Sequence, residues 1–72
     1  MVADGVHTVN EDMPPGLYVI WDVAECSWER RDSDGDVLAN NFIRLAGRAE
    51  VDIRSYDHEF VSENCGRWIR LD

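Results

Sequence analysis

Apolar residues in this chain come in short runs, and glycine, proline, aspartate or asparagine interrupts them about every eight to twelve residues. No window sustains apolar positions at i, i+3, i+4 and i+7, so the pattern predicts strands and no helix. Val6-His7-Thr8-Val9 reads as a first short strand. A turn over residues 10–16 follows, punctuated by Pro14-Pro15-Gly16, where proline removes donors and glycine admits positive φ. Residues 17–21 form a continuous run of β-formers, short enough for a strand buried on both faces. Residues 22–25 are a polar break. Residues 26–31 make a third strand, with Cys26, Trp28 and Arg30 on one face and Ser27, Glu29 and Arg31 on the other.

Asp32-Ser33-Asp34-Gly35-Asp36 is the clearest hairpin turn, because Asp-Gly suits positive φ. Residues 37–43 follow as a strand, interrupted by Asn40-Asn41, and Leu45-Ala46-Gly47 makes the next turn. Over residues 48–54 the alternation is cleanest. Ala49, Val51 and Ile53 point in, while Glu50, Asp52 and Arg54 point out. After a turn at 55–57 and a short strand at 58–61, residues 65–71 close the sheet. Gly66 there suggests a bulge that lets Cys65 and Trp68 both face inward. Six to seven short strands in one domain over residues 1–72 predict an all-β fold, a small antiparallel β-sandwich or partly open barrel.

Length makes the cysteines matter. A domain of 72 residues has a thin core, and a staple helps it. Two stretches echo each other: Cys26-Ser27-Trp28-Glu29-Arg30 and Cys65-Gly66-Arg67-Trp68-Ile69-Arg70. They read as two strands joined by a Cys26–Cys65 disulfide. A loop of roughly 40 residues closed this way contributes about 4 kcal/mol on chain-entropy arithmetic. The alternative is two reduced, buried thiols in a cytoplasmic protein. Disulfide-stapled small domains are mostly extracytoplasmic, which favours a secreted, cell-surface or virion location.

The net charge of −8 disfavours phosphate backbones, which need clustered basic residues, so nucleic acid is not an expected partner. It also disfavours anionic membrane surfaces. All seven basic residues are arginine. No stretch approaches the roughly 20 apolar residues of a membrane span. Residues 1–11 lack the basic and apolar regions of a signal peptide. Either the chain is cytoplasmic, or a signal has been removed ahead of Met1, or export follows another route such as a virion.

Candidate chemistry is sparse. The acids at 32, 34 and 36 match the first ligand positions of an EF-hand, but Val37 stands where the turn glycine belongs and Ile43 where the bidentate glutamate belongs. A solvated hairpin tip without tight calcium binding is expected. His7, His58, Cys26 and Cys65 lack the close ligand spacing of a zinc site, and a disulfide would also remove a Cys–His nucleophile. Glu25, Glu29, Glu59 and Glu63 read as the outer face of a half-buried sheet rather than an acid–base pair. The expectation is therefore no enzyme, no metal and no cofactor. What is left is aromatic and basic. Trp28 reads as core beside the disulfide. Trp21, Arg30, Arg67, Trp68 and Arg70 form a candidate partner-binding patch, pairing apolar area with forked donors.

Read in order, Pro14-Pro15-Gly16-Leu17-Tyr18, Cys26-Ser27-Trp28-Glu29-Arg30, Val51-Asp52-Ile53 and Cys65-Gly66-Arg67-Trp68 make P-P-G-x-Y, C-x-W-x-R and C-G-x-W pieces. This series resembles small modules of actinobacterial secreted proteins and lipoproteins, and of proteins of their phages. The resemblance spans nearly the whole chain. It implies an all-β extracytoplasmic module with paired cysteines and implies no activity. The expected role is a binding or interaction module for a protein or cell-surface partner. The alternative is a structural component of a phage particle.

Overall fold

A computed structural model describes residues 2–71. Five strands, β1 (Gly5–Thr8), β2 (Gly16–Arg31), β3 (Val37–Ile53), β4 (Glu59–Glu63) and β5 (Ile69–Leu71), form one antiparallel sheet. There is no helix among the described residues. The order across the sheet is β1-β4-β2-β3, and β5 also pairs with β2. The sheet is all-β and antiparallel as expected, but it has five strands rather than six to seven and does not close.

The strand count differs because an expected polar break and an expected turn do not interrupt the strands. Residues 22–25 and 45–47 both lie inside long strands, and the β2–β3 register runs through them: Trp21↔Arg48, Val23↔Ala46, Cys26↔Ile43. Asp22 and Glu25 take left-handed φ values of 55° and 53°. Each one resets the alternation, so the core-facing positions step by three, Ile20 to Val23 to Cys26. Opposite them Ala49, Ala46 and Ile43 step by three as well. Both strands add a residue at the same place, and the ladder survives while the hairpin is re-aimed.

The two halves of β2 therefore meet different neighbours on the edge away from β3. Leu17–Val19 pair with β5, and Ser27–Arg31 pair with β4. A left-handed backbone costs a non-glycine residue roughly 1–2 kcal/mol. Replacing the exposed Glu25 with glycine is expected to raise stability by about 1 kcal/mol, the relief less the extra chain entropy. Chemical denaturation checks this, and a destabilised Glu25→Gly would contradict it.

The P-P-G-x-Y segment is a built corner. The buried Tyr18 donates its hydroxyl to the Pro14 carbonyl at 2.7 Å. Gly16 has φ 149°, and a Cβ there would meet the Arg70 guanidinium at 2.6 Å. Arg70 Nε in turn donates to the Pro15 carbonyl at 3.0 Å. A side chain at position 16 would be strained at this φ and would displace the Arg70 guanidinium from the Pro15 carbonyl.

At the other end of the hairpin, Asp32 Oδ1 accepts from the Asp34 and Asp36 N–H groups at 2.9 and 3.0 Å, and Gly35 supplies φ 86°.

The core gathers Tyr18, Ile20, Val23 and Cys26 from β2, Val51 and Ile53 from β3, Phe60 from β4, and Val2, Val9, Met13 and Trp68 from outside the five strands. The expected closing strand over 65–71 is shorter, since only its last three residues are β5. Residues 64–67 form a loop in which Asn64 (φ 59°) and Gly66 (φ 107°) bend the chain. Trp68 then exchanges backbone hydrogen bonds with Val2 at 2.7 and 2.9 Å. This loop, rather than a bulge within a strand, lets both Cys65 and Trp68 reach the core.

Candidate functional site

Cys26 and Cys65 are bonded, with Cα atoms 4.5 Å apart. The bridge ties the middle of β2 to the loop that carries Trp68. Oxidised, neither sulfur is a nucleophile or a metal ligand.

A second tie lies beside it. Trp68 Nε1 donates to Ser62 Oγ at 2.9 Å, and Ser62 Oγ donates to Asp4 Oδ1 at 2.8 Å. Asp4 also accepts from the Cys65 and Gly66 N–H groups, each at 3.0 Å. Burial pushes the Asp4 carboxyl up, but the hydrogen bonds from Ser62, Cys65 and Gly66 outweigh it and hold the group below its ordinary value. A lowered folded pKa means the contribution is complete above about 3.9, the unfolded aspartate value, and is lost as pH falls through the folded value. Melting temperature measured from pH 7 down to pH 2 should therefore fall less steeply below about pH 4 in Asp4→Asn than in the parent. Parallel curves would contradict this role.

Of the five residues expected in a partner-binding patch, two belong elsewhere. Trp68 is fully buried and stands edge-on to Phe60, with ring centroids 5.7 Å apart. Its indole is core because the loop at 64–67 turns it inward. Arg30 is held in a forked ion pair with Asp57: Nε to Oδ2 is 2.8 Å and Nη2 to Oδ1 is 3.2 Å. The Asp57 side chain is wholly buried and that of Arg30 is 15% exposed. The spacing of the chain gave no warning of this partner, 27 residues away in the β3–β4 turn. Arg70 lies at the Pro-Pro-Gly corner. Trp21, 48% exposed, and Arg67 are on the surface.

Trp21 has company that periodicity did not reveal. β5 crosses β2 in register Leu17↔Leu71 and Val19↔Ile69. Leu17, Val19 and Trp21 alternate along one face of β2, opposite the face of Tyr18 and Ile20 that enters the core. Leu17, Trp21, Ile69 and Leu71 are all exposed, and Val19 between them is fully buried. They form a continuous apolar stripe on the outer face. On its β3 side stand Arg48, Glu50 and Asp52, opposite Trp21, Val19 and Leu17. Arg48 pairs with Glu50 at 2.8 Å and Asp52 with Arg54 at 3.1 Å, so the border is charged but neutral.

The far half of the sheet carries a groove of about 350 Å³. Two cross-strand rungs line it, Glu63–Ser27–Phe42 and Val61–Glu29–Asn40. Glu29 is partly neutralised by Arg31 at 2.6 Å. The carboxylates of Asp32, Asp34 and Asp36 gather within 4.8 Å of one another, and Asp32 is already committed to capping its own turn.

Fold and bridge together define a small all-β antiparallel module, stapled once. The chain belongs to the family of Rv1352-like extracellular domains, whose pattern matches residues 1–69. No curated protein and no solved structure matches the chain. No helix among the described residues is long and apolar enough to cross a membrane.

Proposed function

We propose that this extracytoplasmic module is a non-enzymatic binding module, and that it docks a protein or cell-surface partner through the stripe of Leu17, Trp21, Ile69 and Leu71, with the exposed Arg67 two residues before Ile69. The observation that carries the reading is the stripe itself. Four large apolar side chains lie in adjacent rungs around a buried Val19 and remain open to water. Contiguous apolar patches on a small domain mark interaction surfaces. Covering the exposed half of Trp21 and its neighbours stabilises a complex by roughly 2–3 kcal/mol, the size of an interface hot spot. The acidic turns contribute little, because their carboxylates are well hydrated. With a net charge of −8, nucleic acid is not the partner.

The test starts from the envelope fraction of the source cells or particles and compares retention of two folded variants. Trp21→Ser with Ile69→Ser should lose roughly a hundredfold in affinity. Asp34→Ala with Asp36→Ala should bind as the parent does. The reverse pattern overturns the reading. A structural role in a phage particle or another assembly is the second reading. It draws on the exposed outer edge of β3, and a fixed oligomer in the isolated particle would favour it.

A further inference from the structure

We infer that the groove on the far half of the sheet is a binding site for a guanidinium group, the arginine side chain of a basic peptide segment in a partner. The inference stands apart from the stripe and does not depend on it.

Register gives the groove a floor and two walls. The ladder is regular where it lies, from Cys26↔Ile43 to Arg30↔Ala39 on the β3 side and from Ser27↔Glu63 to Glu29↔Val61 on the β4 side. Ser27 stands between Phe42 and Glu63, and Glu29 stands between Asn40 and Val61. Residues directly opposite in a sheet share a face. These six side chains therefore point together to the outer side, while Trp28 between them packs against the core. Neighbouring strands lie about 4.8 Å apart, so the backbones at Phe42 and Glu63 are separated by roughly 10 Å. The small Ser27 between two long side chains leaves a trough. Its volume of about 350 Å³ is at the low end of ligand clefts, roughly 300–1,000 Å³, and suits one long side chain.

The lining selects the charge of the occupant. No basic residue lines the groove. The carboxylates of Glu29 and Glu63 only accept hydrogen bonds, and the Ser27 hydroxyl can accept as well. Glu29 has Arg31 at 2.6 Å, but Glu63 makes no ion pair among the described residues. On the opposite wall Phe42 is 60% exposed. A cation above Ser27 stands one strand from the ring and one strand from the carboxylate, inside the roughly 6 Å reach of a cation–π contact. A guanidinium uses both walls, since its plane stacks on an aromatic ring and its fork pairs with a carboxylate, whereas an ammonium is a point charge. Glu29 and Glu63 belong to no group of three metal-ligating side chains among the described residues, so a bare metal ion is the poorer match. The net charge of −8 draws a basic segment toward the module.

The test is a titration of the whole chain, followed by nitrogen–proton correlation spectra, with the end-blocked tripeptide glycyl-arginyl-glycine. Saturable shifts are expected at residues 27–29, 40–42 and 61–63. The same tripeptide with citrulline, which keeps the shape and loses the charge, should bind at least tenfold more weakly, and the lysine tripeptide severalfold more weakly. Glu63→Gln should weaken the arginine peptide about tenfold and Phe42→Leu severalfold, both with melting temperatures near the parent's, since Glu63 has no ion pair to lose and Phe42 is already exposed. Asp34→Ala with Asp36→Ala should leave the affinity unchanged. Shifts centred on residues 32–36 overturn the inference, as does a citrulline or lysine peptide that binds as well as the arginine one. Binding indifferent to both Glu63→Gln and Phe42→Leu, or no saturable shift at all, also overturns it.

Discussion

Reducing the Cys26–Cys65 bridge is expected to lower stability by about 4 kcal/mol, which in a domain of this size is a fall of roughly 15–30 °C in melting temperature. The bridge closes a loop across a sequence separation of 39, and most of its effect is the freedom it removes from the unfolded chain. Location adds a local consequence. Beyond Cys65 the chain is held by the Asp4 hydrogen bonds, the exchange between Val2 and Trp68, and three residues of β5 on β2. Loosening Cys65 weakens the seat of Trp68 and then β5, which supplies half of the apolar stripe. Thermal unfolding with and without reductant checks this, together with intact mass after alkylation. Two alkylated thiols in untreated protein, or an unchanged melting temperature after complete reduction, would contradict it.

Asp57→Ala is expected to cost about 3–5 kcal/mol, the range for stranding one member of a buried ion pair. Two groups lose their acceptor. The Arg30 guanidinium, mostly buried, keeps its charge with no counter-ion, and the Arg54 N–H loses its 2.9 Å bond to Asp57 Oδ2. Asp57→Asn separates the two effects, since it can still accept from Arg54 while giving up the charge. It should fall between the parent and Asp57→Ala in urea denaturation. Equal stability of Asp57→Ala and parent would mean that the ion pair does not hold the β3–β4 turn against β2.

What was legible in the sequence followed from period and from turn chemistry. The alternation over residues 48–54 placed Ala49, Val51 and Ile53 inward, as they are. The Asp-Gly hairpin and the pairing of two lone cysteines were readable for the same reason: each rests on local chemistry or on there being one possible partner. The long strands were not readable. Asp22 and Glu25 look like a polar break because left-handed φ at a non-glycine residue has no signature in composition, and the compensating step in β3 is visible only once the register is known. Arg30 looked like a surface group because nothing near it in sequence announces Asp57. Trp68 carried two readings, turned inward by a bulge at Gly66 or open beside Arg67 and Arg70; it is inward, and a loop rather than a bulge puts it there. Trp21, bordering an expected turn, was readable equally as core or as surface; it is exposed, and its neighbours Ile69 and Leu71 emerge only when β5 is laid across β2.

The claim that the Trp21 stripe faces a partner is tested most directly by hydroxyl-radical footprinting of the protein in its native surroundings, compared with the purified chain. Trp21 and Tyr56 are both exposed in the isolated module, and Tyr56 sits in the β3–β4 turn beside Arg30. The stripe reading predicts that oxidation of Trp21 drops severalfold in the intact envelope or particle while Tyr56 stays as reactive as in the free protein. Equal oxidation of Trp21 in both settings, or protection of Tyr56 instead, would contradict it.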